Sequence, residues 1–162
     1  MFGWLKKKET VDTLEVTAPL RGSVVSLEEV PDPAFSTGAM GPGIAIKPSE
    51  GKIVAPFDGK VAHLIEKSKH AIVLEHASGV QILIHVGVNT VSLKGEGFTA
   101  HVCTGDKVKA GQLLLEFDIP AIEKAGYPVI TPVLVPDGQE MVESVERGSS
   151  ADAAVLRIHL KK

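Results

Sequence analysis

Two of the six histidines stand where an imidazole needs a reason to be. His85 lies in the run Gln81-Ile82-Leu83-Ile84-His85-Val86-Gly87-Val88, an apolar stretch in which a polar ring must find a partner or open onto a site. His70 begins the preceding run, His70-Ala71-Ile72-Val73-Leu74-Glu75. If His76-Ala77-Ser78-Gly79 forms a four-residue hairpin loop, Glu75 pairs with Val80 and His70 falls directly opposite His85. A slip of one residue makes the two histidines diagonal neighbours on opposite faces.

Adjacent imidazoles can bind a metal, act as acid and base, or carry a phosphoryl group on one nitrogen. Zinc hydrolysis asks for three protein ligands and a general base, and no His-x-His or His-Glu-x-x-His accompanies this pair. A metallopeptidase is therefore disfavoured, and no metal is expected. Phosphohistidine chemistry asks for less: one nitrogen free to attack phosphorus, the other fixed by a hydrogen bond, and donors around roughly two negative charges. Ser68, two residues before His70, can hold one nitrogen of that ring and aim the other; its plain alternative is a loop hydroxyl. Gly87 offers close approach to His85 because it has no side chain, or else marks a bulge.

The surrounding elements read as strands. Val occurs 20 times and Ile 11 times against 7 aromatics, in short runs closed by Gly or Pro, which favours an all-β chain over helices. Turn signals at Pro31-Asp32-Pro33, Met40-Gly41-Pro42-Gly43, Ser78-Gly79 and Pro136-Asp137-Gly138 are spaced as in a sandwich or barrel. One short helix is expected from Asp118 to Gly126, with Asp118 as cap, Pro120 near the start and Gly126 as stop. An internal repeat, Ala-Pro-x-x-Gly-x-Val, starts at Ala18 and again at Ala55, and two copies imply a pseudo-symmetric sandwich rather than a solenoid. The segment Gly105–Glu116 has the rhythm of hairpins in lipoyl and biotinyl carrier domains, which raises a non-catalytic carrier as an alternative function. Such a carrier needs a modifiable lysine in Met-Lys or Asp-Lys-Ala context at a hairpin tip, and Asp106-Lys107 is followed by Val108.

Composition bounds the rest. With 162 residues the chain can bury a core as one domain. A net charge of −3 argues against nucleic acid, whose phosphates are held by a basic face. Cys103 stands alone, so no internal disulfide forms and a reducing cytoplasm is the expected location. No apolar run approaches the roughly 20 residues of a membrane span, and no signal-peptide pattern opens the chain. At the N-terminus Phe2, Trp4 and Leu5 precede Lys6, Lys7 and Lys8, a pattern that could touch anionic lipid from the inner face of the membrane or remain a solvated tail.

The stretch Gly79–Val91, continued by Ser92-Leu93-Lys94-Gly95-Glu96-Gly97-Phe98, resembles the phosphorylation-site signature of the glucose-type enzyme IIA component of the bacterial phosphoenolpyruvate-dependent sugar phosphotransferase system. Val30–Phe35, Gly43–Pro48, Val54–Gly59 and Lys69-His70-Ala71 extend the likeness over roughly residues 14 to 160. The resemblance implies a β-sandwich of the duplicated-hybrid type with one or two very short helices. It implies an enzyme IIA domain at 14–162 behind a flexible tail at 1–13, without a cofactor. It implies that His85 accepts a phosphoryl group on Nε2 from the phosphocarrier HPr and passes it to an enzyme IIB cysteine, that His70 stabilises the transferring group, and that Ser68 replaces the usual threonine. Asp32, Phe35, Met40, Leu83 and Asn89 are the implied docking residues, the apolar ones having sandwich core as their alternative. Regulatory target proteins are a further implied class of partner. Two departures weaken the acidic complement to basic HPr: Asn89 stands where an aspartate is common, and Pro42 replaces another.

Overall fold

The computed structural model describes residues 12–150 and 152–161. The described chain forms thirteen strands, two short α-helices and two 3-10 turns. The strands are β1 Thr13–Thr17, β2 Gly22–Ser26, β3 Gly43–Pro48, β4 Lys52–Val54, β5 Gly59–Leu64, β6 Ala71–His76, β7 Gln81–His85, β8 Phe98–Ala100, β9 Lys107–Val108, β10 Leu113–Phe117, β11 Thr131–Leu134, β12 Val142–Arg147 and β13 Ala154–Leu160. Seven of them make one sheet in the order β9-β5-β6-β7-β11-β3-β2, with every pair antiparallel. Two three-stranded sheets, β4-β10-β8 and β12-β13-β1, complete a β-sandwich, as the strand-rich composition implied. Strand β1 opens at Thr13, one residue before the expected boundary, and the tail with Phe2, Trp4 and Leu5 lies outside the described residues.

Both faces of the large sheet are covered. One carries Ile44, Ile46, Ile72, Leu74, Ile82, Ile84 and Val133 into the main core, where they meet Ile53, Leu114, Leu115, Leu156 and Ile158 from the smaller sheets. The other face carries Ala45, Ala71, Leu83 and Leu134 under a lid of Leu27, Val30 and Phe35. This explains why Gln81–His85 reads as a continuous apolar run rather than an alternating one. Strand β7 is central, and its side chains are buried on alternating sides.

The repeat has a physical meaning in the ladder. Gly22 and Gly59 each open a strand and each pair with the last residue of the neighbouring strand, Pro48 and His76 respectively. A Cβ at Gly22 would lie 2.1 Å from the Lys47 carbonyl oxygen, and one at Gly59 would lie 2.2 Å from that of Glu75. Glycine is needed at both because the partner backbone occupies the side-chain position.

Helix α2 spans Ile119–Lys124, capped by Asp118, whose Oδ1 accepts from the Ala121 N–H at 3.1 Å, as expected. The turn read at Pro31-Asp32-Pro33 is instead the start of a one-turn helix, α1 (Pro33–Ser36). The same residues serve both outcomes, since Asp caps and Pro is suited to the first helical position. The Gly105–Glu116 segment is not a hairpin. Its two strands enter different sheets, β9 beside β5 and β10 between β4 and β8. The turn between them is tied to the repeat segment, with Ala110 N–H donating to Asp58 Oδ1 at 2.8 Å and Gly111 N–H to the Ala55 carbonyl at 2.7 Å. Lys107 lies in the ladder opposite Lys60, not at a tip.

Candidate functional site

The strand register differs from the first expectation by one residue. Ala71 pairs with His85 and Glu75 with Gln81, while the His76 N–H donates to the Val80 carbonyl at 2.9 Å. The connecting loop is therefore Ala77-Ser78-Gly79, with Gly79 left-handed at φ +94°, the position where a three-residue hairpin favours glycine. The slip does not send the histidines to opposite faces. Their rings meet edge to face, with centroids 4.7 Å apart at 85°. Alternation holds inside a strand, and His70 stands just before β6. The preceding Lys69 turns the chain through a left-handed φ of +55°, and the His70 carbonyl accepts from the Val86 N–H at 2.7 Å. Ring and backbone of His70 are thus both tied to the end of β7.

Each ring is fixed at Nδ1. His85 Nδ1 lies 2.8 Å from the Gly87 carbonyl oxygen, which can only accept, so Nδ1 carries the proton and Nε2 of the neutral ring keeps its lone pair. Gly87 is left-handed at φ +76°, and a Cβ there would lie 2.5 Å from the Pro128 carbonyl oxygen and 2.7 Å from Thr90 Cγ2. The glycine thus faces the protein's own backbone, and its contribution is an aimed carbonyl. Buried Thr90 secures the same turn by donating to the Val86 carbonyl. His70 Nδ1 lies 2.7 Å from Ser68 Oγ, and both residues are buried.

Burial keeps the pair neutral. Burial first, and the neighbouring His85 second, lower the His70 pKa from 6.5 to about 4. His85 is also pushed below the ordinary histidine value by burial, against the opposing pull of the Gly87 carbonyl and the Asp32 carboxylate. Two neutral rings, one with a bare Nε2, are the state that nucleophilic attack on phosphorus requires.

The expected docking residues are placed unevenly. Met40 is exposed at 38 %, and Asn89 is exposed with a left-handed φ of +61° and no capping bond from its side chain. Asp32 is half-buried and caps α1, its Oδ1 accepting from the Ala34 N–H at 3.0 Å. Phe35 and Leu83 are buried, at 3 % and 8 % exposure. Phe35 packs on His85 itself, with ring centroids 4.9 Å apart at 54°. Val91, which sequence reasoning did not single out, is an apolar side chain 53 % exposed two residues after Asn89. An apolar residue in a turn was the available signal.

Comparison with known proteins agrees with this geometry. The family model for the phosphoenolpyruvate-dependent sugar phosphotransferase system, EIIA 1, matches residues 14–141. A glucose-specific EIIA component from Oceanobacillus iheyensis is 47 % identical over 131 residues, covering 81 % of this chain and 78 % of that one. A β-glucoside-specific EIIBCA component from Dickeya chrysanthemi is 50 % identical over 133 residues, 81 % of this chain and 21 % of the relative. A glucose-specific EIIBCA component from Corynebacterium glutamicum is 48 % identical over 146 residues, 90 % of this chain and 22 % of the relative. The chain thus spans about a fifth of these fused relatives. Among solved structures, glucose permease IIA from Mycoplasma capricolum superimposes with a TM-score of 0.78 at 32 % identity, over 95 % of this chain and 99 % of that one. With the family model matched over residues 14–141 and relatives near half identity, the chain belongs to the EIIA 1 family, the phosphoryl-relaying components of the phosphoenolpyruvate-dependent sugar phosphotransferase system.

Proposed function

We propose that His85 Nε2 is the atom that carries the phosphoryl group in this relay, with His70 and Ser68 as its supports. The observation behind this reading is the bond from His85 Nδ1–H to the Gly87 carbonyl, which leaves Nε2 as the free nucleophile. The same carbonyl stabilises the positive charge that the ring acquires as Nε2 attacks. As the Nε2 lone pair forms the new N–P bond, the bond from phosphorus to the donor nitrogen breaks and its electron pair stays with the donor. In the second transfer a IIB thiolate attacks phosphorus and the N–P pair returns to Nε2. When Ser68 O–H donates to His70 Nδ1, His70 presents Nε2–H to the phosphoryl oxygens. The low pKa of His70 makes it a hydrogen-bond donor that keeps its single proton.

HPr is the proposed donor and a IIB domain the acceptor; the fused relatives, whose names join EIIA to B and C parts, support the latter. Met40, Val91 and Asn89 offer the exposed part of the docking face. The domain at 14–162 works in the cytoplasm, with Phe2, Trp4 and Leu5 as a peripheral contact at the inner membrane face and regulatory proteins as further partners. Intact mass after incubation with phosphoenolpyruvate, enzyme I and HPr should rise by one phosphoryl group, and the gain should vanish in His85→Ala. An unchanged gain in that variant would overturn the assignment.

A further inference from the structure

We propose that Phe35 is a positioning residue for the reacting imidazole rather than a docking residue, a reading that rests on His85 as the phosphoryl carrier. Phe35 is only 3 % exposed, so a partner cannot use its ring as contact surface without unpacking α1. Its ring lies 4.9 Å from that of His85 at 54°, while the His70 ring meets His85 at 85°. Together they wall the imidazole from two directions. The hydrogen bond to Gly87 fixes one atom of the ring, and a ring held at one atom can still tilt about that contact. Phe35 removes this freedom, because it is itself buried at 3 % exposure in the second hydrophobic cluster, which also holds Ala45, Ala71, Leu83 and Leu134.

The sequence around Phe35 is built to hold it there. Pro33 sets the first helical φ, Asp32 Oδ1 satisfies the Ala34 N–H, and the Phe35 N–H itself donates to the Asp32 carbonyl at 3.0 Å. A four-residue helix has little stability of its own, so these caps and the buried ring are what keep it formed. Burial pushes the pKa of His85 down, Phe35 is one of the rings packed on it, and the Asp32 carboxylate on the same turn pulls the other way. One turn of chain thus supplies both the wall of the ring and a charge that tunes it.

The test is Phe35→Leu, which keeps apolar volume and removes the ring, read by steady-state transfer from phospho-HPr and by nitrogen NMR of His85. A positioning role predicts kcat lower by about tenfold, KM for phospho-HPr within about twofold of the parent, and a His85 pKa moved up toward the ordinary value. A docking role predicts the converse, a raised KM with unchanged kcat and an unmoved His85 titration, and that result would overturn the proposal. Should the leucine variant fail to fold, Phe35→Met gives the same two readouts with a more adaptable side chain. If the parent protein takes no phosphoryl group on His85, the proposed relay role fails; a titration of His85 that still shifts in the variant keeps the positioning contact separate from that failure.

Discussion

Strand β6 has a histidine bonded to a serine at each end, and only one of the two faces a second imidazole. Before the strand, His70 Nδ1 lies 2.7 Å from Ser68 Oγ; at its end, His76 Nδ1 lies 2.9 Å from Ser78 Oγ. The spacing is the same, mirrored. The surroundings differ in three ways. His70 is buried against a second imidazole, whereas half-buried His76 meets the edge of Phe57 at 5.2 Å. Burial lowers both pKa values, but at His76 the Asp58 carboxylate opposes it. The Ser78 N–H also donates to His76 Nδ1 at 3.1 Å, which fixes the proton of the neutral ring on Nε2, whereas the bond at His70 Nδ1 is with a hydroxyl that can turn. A His–Ser pair is therefore a generic turn device. The second ring with a carbonyl behind it is what sets the proposed site apart.

The largest expected difference between the two ends follows directly. His85→Ala should lose all labelling from phospho-HPr, while His76→Ala should be labelled to full stoichiometry. Loss of labelling in His76→Ala, by a variant that is folded by circular dichroism, would break the contrast.

His70→Gln separates acceptance from delivery. It should still take up phosphate but pass it to IIB about 10²–10³-fold more slowly, the scale of loss when a donor to a developing charge is no longer held in place. Single-turnover transfer measures this, and normal delivery would remove His70 from the mechanism. The same variant should change the acid limb of stability. The folded pKa of His70, about 4, lies below its ordinary 6.5, so between those values the unfolded chain takes up a proton that the folded chain refuses. Stability is fully present above about pH 6.5, falls as pH drops toward 4, and levels off below. The span is up to about 3 kcal/mol from the shift alone, and denaturant melts across this window should show a shallower fall for His70→Gln. An equal fall would place the acid sensitivity elsewhere.

Ser68→Ala and Ser78→Ala form the next pair. The first frees His70 to choose either tautomer and should slow delivery about tenfold, in line with losses from outer supports of reactive histidines. The second should leave transfer unchanged, and a similar slowing in both would mean the hydroxyls matter only for folding the turns.

Much of this site was legible because the apolar run at 81–88 left His85 unexplained, and because the family signature surrounds it. The fold class followed from β-branched runs, and the helix at 118–126 from its own cap and stop. What failed were statements that depend on one residue of register. Whether Glu75 faces Val80 or Gln81 is decided by Gly79 adopting a left-handed turn, and Ser78-Gly79 suits a three- or four-residue loop equally well. Likewise nothing local says that the strands at Lys107 and Leu113 enter different sheets, because the bonds that divide them reach back to Ala55 and Asp58. For Phe35 the resemblance implied a docking role with sandwich core as its alternative, and only the packing shows its ring buried against that of His85.

The smallest expected effect concerns the rim. Asn89 is exposed and left-handed at φ +61°, a conformation that Asp tolerates as Asn does, so Asn89→Asp changes charge without straining the backbone. A carboxylate here would join that of Asp32 on the docking side and complement a basic partner. Complementary charge acts mainly on association, so the second-order rate of transfer from phospho-HPr should rise severalfold at low salt with an unchanged maximal rate. The gain should shrink as ionic strength approaches physiological values, where exposed charges are screened over about 8 Å. A rate that does not change at low salt would place Asn89 outside the contact surface, leaving Met40 and Val91 as the apolar anchors of that face.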